Sequence, residues 1–249
     1  MPLTDKLRRL AARTLPVAPL RARLGAPLAS ISFDDIPASA ARAGAPILEA
    51  AGVHGTFYIC GSHQDRSFEG RPQFARSDIE ALHAAGHEIA CHTFSHPHVP
   101  ALDPAGIDGE IARNAAYVAD ITGQDRMESF AYPYGDLSPA SARHCATRFA
   151  SCRDVIAGVN AGTFDMGRLK SLGLETRKNA RADVARWIEA TVAARGWLIL
   201  FTHDVDPDAS AHGCTPQELA DTIADIQRAG VEIVTVAEGA RRVRAAAGL

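Results

Sequence analysis

Three times in this chain a helix-forming stretch runs into glycine and re-emerges within a few residues as an apolar strand. Gly52 follows the helix ending at Ala51 and precedes Gly55–Ile59; Ala84-Ala85-Gly86 leads into His87–His92; Arg228-Ala229-Gly230 leads into Val231–Val236. Glycine takes the left-handed backbone that ends a helix without steric cost. Strands that alternate with helices in this way form a mostly parallel sheet. Further strands are expected at Leu28–Phe33, Ser129–Tyr132, Arg148–Cys152, Leu169–Leu174 and Trp197–Thr202, with helices from Asp103 to Thr122, Ser138 to Ala146, Ala182 to Arg195 and onward from Thr215. Seven or eight such units predict a distorted (β/α)7-8 barrel, and 249 residues at 47% hydrophobic content suffice for its core. No low-complexity linker divides the chain.

The first 27 residues are read as a separate element. Lys6, Arg8, Arg9, Arg13, Arg21 and Arg23 face only Asp5, while Leu7, Leu10 and Ala11 share one helical stripe behind a Thr4 cap. A basic amphipathic helix of this kind can rest on an anionic membrane surface or pack on its own domain. The expected division is therefore 1–27, helix and connector, and 28–249, a single catalytic-sized domain. A net charge of -3 gives no reason to expect nucleic acid as a partner. Cys60, Cys91, Cys145, Cys152 and Cys214 are an odd set without C-x-x-C spacing, so reduced, buried thiols are expected. With no secretory signal or membrane-spanning run, the expected location is cytoplasmic, peripheral to the inner membrane face if the helix binds lipid.

In parallel α/β folds the chemistry sits where strands end and loops begin. Asp34-Asp35 follow the first large strand, His92 the third, Tyr132 the fourth and His203 the most apolar one, so all fall on the same rim. His92 and His96, four residues apart, can take two corners of a divalent ion's coordination sphere, with Asp35 as the oxygen ligand and one position left open. Zinc is the first expectation, with Co2+, Mn2+ or Ni2+ as alternatives. Such an ion activates water and polarises a carbonyl, Asp34 is free to act as base, and His203 is placed to protonate a leaving amine.

Phe33-Asp34-Asp35, His92-Thr93-Phe94-Ser95-His96, Phe130-Ala131-Tyr132-Pro133-Tyr134-Gly135 and Leu200-Phe201-Thr202-His203-Asp204 occur in this order over most of the chain. Together they resemble the successive motifs of the polysaccharide deacetylase family, the NodB-homology or carbohydrate esterase 4 group. The resemblance implies a NodB-like deacetylase barrel that removes the N-acetyl group from N-acetylhexosamine units. It implies Asp34 as base, His203 as acid, and Asp35, His92 and His96 as metal ligands. The Tyr134 backbone N–H would hold the oxyanion and Phe201 would wall the acetyl pocket, with Tyr132 available to stack on a sugar. An N-acetylated bacterial glycan, or its lipid-linked oligosaccharide precursor in exopolysaccharide biosynthesis, is the expected substrate.

Three positions depart from the family pattern. Ile36 stands where glycine usually follows the aspartate pair, and Ala131 where an arginine often pairs with the base. Arg168 and Lys170, which precede an expected strand, are the substitute cations offered. No aspartate-tryptophan motif is evident; Asp165 and Trp187 are the nearest candidates for orienting His203. These departures keep two rivals open, a non-catalytic carbohydrate-binding scaffold on the same barrel and a metal amidohydrolase for a small non-sugar amide. His54, His63, His83, His87, His98, His144 and His212 are expected in surface or packing roles.

Overall fold

A computed structural model describes residues 16–179 and 181–249. The basic helix expected from Thr4 therefore lies outside the described residues. In chain order the elements are β1 (Pro19–Arg21), β2 (Leu28–Asp34), α1 (Ala45–Ala50), β3 (Thr56–Ile59), β4 (Ser67–Phe68), β5 (Arg71–Pro72), α2 (Arg76–Ala84) and β6 (Glu88–Cys91). There follow α3 (Pro104–Thr122), β7 (Ser129–Ala131), α4 (Pro139–Ala146), β8 (Ser151–Arg153), β9 (Thr163–Asp165), β10 (Leu172–Gly173), α5 (Arg181–Ala194), β11 (Trp197–Thr202), α6 (Pro216–Arg228), β12 (Glu232–Ile233) and α7 (Val236–Ala246).

Eight strands form one parallel sheet in the order β10-β11-β2-β3-β6-β7-β8, with β12 also paired to β2. The sheet curls. Leu169 bridges Arg153 in parallel and Leu172–Gly173 pair with β11, so one short segment ties the two ends of the sheet together. This is the distorted barrel expected of repeated strand–helix units. Gly52, Gly86 and Gly230 all adopt left-handed φ, as their place between helix and strand demands.

β2 is the strand on which the others converge. β11 pairs with it from Leu28 to Phe33, while its other edge is shared, β12 taking Leu28–Ala29 and β3 taking Ser32–Asp34. All seven β2 residues are buried. Ala29, Ile31 and Phe33 join the large apolar core with α1, α2, α3 and α6. Ser30 and Ser32 alternate with them, accepting from Trp197 Nε1 at 2.9 Å and donating to the Leu200 carbonyl at 3.0 Å respectively. The same two-residue period places Asp34 with the serines, and Ala90 with Tyr58 and Ala131 in a small buried cluster of their own. All five cysteines are free and buried. No helix among the described residues is long and apolar enough to cross a membrane.

The strand ends carry the strain. Seven of the eight non-glycine residues with left-handed φ among the described residues lie in the loops above the sheet: Asp35, Ile36, Asp65, Glu69, Thr93, His96 and Tyr134. Ile36 has φ 54° and is completely buried, so the chain keeps at this position a backbone suited to glycine while filling the core with a branched side chain. Such strain costs on the order of 1–3 kcal/mol, and deleting a buried isoleucine costs about 2–5 kcal/mol. Ile36→Gly is therefore expected to lose less stability than Ile36→Ala, since only glycine removes the strain as well as the side chain. Urea unfolding midpoints of the two variants test this ordering.

Candidate active site

The ends of β2, β6, β7, β8 and β11 open into a cavity of about 320 Å³. Asp34, Asp35, His92, His96, Tyr132, Tyr134, Phe201 and His203 all line it. Residues scattered over 170 positions of sequence meet because parallel strands deliver all their C-terminal ends to one side.

Asp35 sits at the centre. Its Oδ1 lies 3.3 Å from His96 Nε2 and 3.8 Å from His92 Nε2. His92 is fixed from behind by its Nδ1, which donates to the Ala131 carbonyl at 2.8 Å and so leaves the Nε2 lone pair aimed at Asp35. His96 is placed by its loop. Glu110 on α3 accepts from the Phe94 and Ser95 amides at 3.0 and 2.7 Å, and the Thr93 hydroxyl accepts from the His96 amide at 3.1 Å.

Electrostatically the cluster is unbalanced as a set of bare side chains. Burial, with the carboxylates of Asp34 and Glu69, pushes Asp35 well above the usual carboxylate range. Burial also lowers His92 to about 4 and His96 to about 2. Neutral imidazole nitrogens thus face an oxygen acceptor across distances close to those between ligands of one ion. One carboxylate and two imidazoles fit a divalent cation, which would compensate the buried donor atoms.

Asp34 is held differently. A guanidinium nitrogen of Arg153 donates to its Oδ1, and both side chains are almost wholly buried. Burial would raise the Asp34 pKa, but Arg153, then His92 and His203, outweigh it and hold the carboxyl below its ordinary value. The Arg153 guanidinium also lies 4.9 Å above the rings of Tyr58 and Phe201. Arg153 is the last residue of β8 and pairs in register with Ala131 of β7. The cation absent at 131 is therefore supplied from the neighbouring strand, directly across the pairing.

This corrects the expectation for Arg168 and Lys170, which line a separate cavity with Asp165. Leu169 between them pairs with Arg153 and packs with Leu28 and Trp197, so by strand alternation the side chains of Arg168 and Lys170 point to the opposite face, away from Asp34. The strand expected at Arg148–Cys152 forms at Ser151–Arg153, and this shift at both ends puts an arginine at the strand's active end. Asp165 does not orient His203: its carboxylate accepts from the Val17 and Ala18 amides at 2.9 and 2.8 Å. Trp187 on α5 packs against the large core. His203 instead donates from Nδ1 to the His212 carbonyl at 3.2 Å, which turns Nε2 toward the cavity, 3.9 Å from Asp35 Oδ2. Burial lowers the His203 pKa and Asp34 raises it in part.

Other expectations are also revised. Tyr132 borders the cavity, but its ring is buried edge-on against Phe130 and its hydroxyl donates to the Gly167 carbonyl at 2.9 Å, so it packs rather than presenting a face to sugar. Tyr134 is the exposed aromatic, stacked on His98 with centroids 4.4 Å apart. His63, expected in a packing or surface role, lies with Nδ1 3.9 Å from Asp35. His212 reaches the cavity rim, with Nδ1 3.1 Å from Glu175 Oε1. Nothing in sequence spacing tied either histidine to the motifs, because both arrive on loops from unrelated strands.

A curled parallel barrel with paired carboxylates and three histidines at its strand ends defines a deacetylase-type hydrolase site. The polysaccharide deacetylase family model matches residues 21–148, half of the chain, and the protein belongs to that family. A chitooligosaccharide deacetylase from Sinorhizobium fredii is 26% identical over 221 residues, covering 86% of this chain and 84% of the relative. One from Bradyrhizobium sp. is 25% identical over 194 residues, covering 73% and 75%. Among solved structures, a family 4 carbohydrate esterase from Bacillus anthracis shares the fold with a TM-score of 0.62 at 14% identity, over 97% of this chain and 93% of that one.

Breaking a buried ion pair by removing one partner costs about 3–5 kcal/mol, whereas removing both is far milder. Arg153→Met is expected to lower folding stability by that amount, and the Asp34→Asn Arg153→Met double variant to recover most of it. Chemical denaturation of the single and double variants measures the coupling.

Proposed function

We propose that this protein hydrolyses the N-acetyl group of N-acetylhexosamine units in a bacterial glycan, in a reaction that depends on a divalent metal, zinc first. The observation that carries the reading is one cavity in which Asp35, His92 and His96 converge while Asp34, held by Arg153, and His203 face the same space from different strands. The names of the two rhizobial relatives support N-acetylglucosamine oligomers as the substrate class.

Bound at Asp35, His92 and His96, the ion supplies Lewis acidity toward the acyl oxygen and a more acidic water. Asp34, kept ionised by Arg153, takes the proton of the attacking water as its oxygen adds to the acyl carbon. The backbone N–H of Tyr134, in a loop fixed at φ 60°, meets the developing oxyanion, and a donor already in place costs no reorganisation at that moment. His203, oriented by the His212 carbonyl, delivers the proton from Nε2 to the amide nitrogen as the C–N bond breaks. Acetate and a free amine leave. Phe201 walls the cavity beside the reacting group, where it would receive the acetyl methyl.

With Arg153 on Asp34, the missing arginine at 131 no longer argues for a non-catalytic relative. The basic residues between Lys6 and Arg23 support work beside an anionic membrane surface at the cytoplasmic face, with a lipid-linked oligosaccharide as the physiological form of the substrate.

Acetate release from N-acetylglucosamine oligomers is the test. Metal-loaded protein should release acetate, chelator-treated protein should not, and zinc or cobalt should restore it. His203→Ala is expected to cut kcat by about 10²–10⁴-fold, the usual contribution of a positioned acid, and Asp34→Asn by at least as much. Release undiminished by Asp34→Asn sinks the assignment.

The pH profile gives a second check. Asp34 must be ionised to act, and its pKa is below the ordinary value, so the acid limb of kcat/KM falls below that of a free carboxylate. Without the guanidinium, burial prevails and the pKa rises. Arg153→Lys and, more strongly, Arg153→Met should therefore move the acid limb to higher pH.

A further inference from the structure

Cys60 and His63 lie beside Asp35 and take no part in the deacetylation described above. Cys60 follows β3 directly and His63 ends the single turn Gly61–His63. Cys60 Sγ is 3.8 Å and His63 Nδ1 3.9 Å from Asp35 Oδ1, and the three donor atoms lie within 4.8 Å of one another. His63 Nδ1 is buried without a hydrogen-bond partner on a side chain only 9% exposed. Phe68 of the β4–β5 hairpin stacks on the ring with centroids 4.3 Å apart, which fixes the direction of that nitrogen. The Cys60 thiol donates to the His92 carbonyl at 3.0 Å.

We propose that Asp35, Cys60 and His63 form a second, sulfur-containing site for a thiophilic divalent ion, next to the His92/His96 site and sharing Asp35 with it. Thiolate, imidazole and carboxylate are a donor set that zinc accepts, with a fourth position open. Ligands of one tetrahedral ion stand about 3.3–3.7 Å apart given bond lengths near 2.0–2.3 Å, close to the separations from Asp35. One ion has no place for all five donors, since His92, His96, Cys60, His63 and Asp35 exceed its four positions. Both donor sets face Asp35 Oδ1, and a carboxylate oxygen with two lone pairs can bridge two ions, as in two-metal sites. As the metal–sulfur bond forms, the thiol proton passes to solvent.

Cobalt titration of the metal-free full chain tests this by absorption, independently of any deacetylase assay. The wild type should bind two equivalents, with sulfur-to-cobalt charge transfer in the near ultraviolet. Cys60→Ser should abolish that band while keeping the visible cobalt absorption of the first equivalent. His63→Gln, which retains a neutral polar side chain should Cys60→Ser fail to fold, should weaken the second equivalent by at least about tenfold. A single equivalent in the wild type, a charge-transfer band that survives Cys60→Ser, or second-equivalent affinity unchanged in His63→Gln overturns the proposal.

Discussion

An arginine and an aspartate, both nearly sealed from water, set the terms for the rest of this site. Desolvation alone would neutralise Asp34, and a neutral carboxyl accepts no proton. Arg153 reverses that balance, at the cost of burying its own charge. Aromatic faces of Tyr58 and Phe201 line the guanidinium, so the cation is surrounded by polarisable surface instead of water. Because Arg153 and Ala131 pair in register, the charge comes from an adjacent strand while alanine leaves the neighbouring inner position small. The cation has moved one strand sideways, and the ion pair remains.

Around that pair the loops are held in conformations that a relaxed chain avoids. Asp35, Ile36, Thr93, His96 and Tyr134 all have left-handed backbones, and one helix braces two of the loops from outside. Glu110 reaches from α3 to the histidine loop. Asn114, one helical turn further along, donates to the Ile59 carbonyl at 2.8 Å and accepts from the Gly61 amide at 3.0 Å, fixing the loop that carries Cys60 and His63. A single helix face thereby positions two of the loops around Asp35. Buried polar braces of this sort rigidify a site because leaving any one unpaired is costly.

Much of this was legible in the sequence, for reasons that follow from periodicity. Strand–helix alternation specifies a parallel barrel, and the barrel rule puts Asp34, His92, Tyr132 and His203 on one rim before any geometry is known. The one-dimensional pattern stops being informative where partners come from lateral pairing. Arg153 reads as the tail of a strand until β8 is seen beside β7; His63 and His212 read as isolated until their loops fold over the cavity. Tyr132 is the converse case, since adjacency to a motif says nothing about whether a ring faces inward or outward. Ile36 is a further case: its identity departs from the family pattern while its backbone keeps the form that glycine would take.

β2 begins at residue 28, yet one of its edges pairs with β11 from Trp197 onward and part of the other pairs with β12 at Glu232–Ile233. Closing loops of that length precedes any reward from the contacts, which makes such topologies slow to form. During synthesis the strand bearing Asp34 must wait, apolar and unpaired along one edge, until the segment from Trp197 to Thr202 has emerged. The central strand of the barrel thus completes its pairing late, although β3 can join its other edge early.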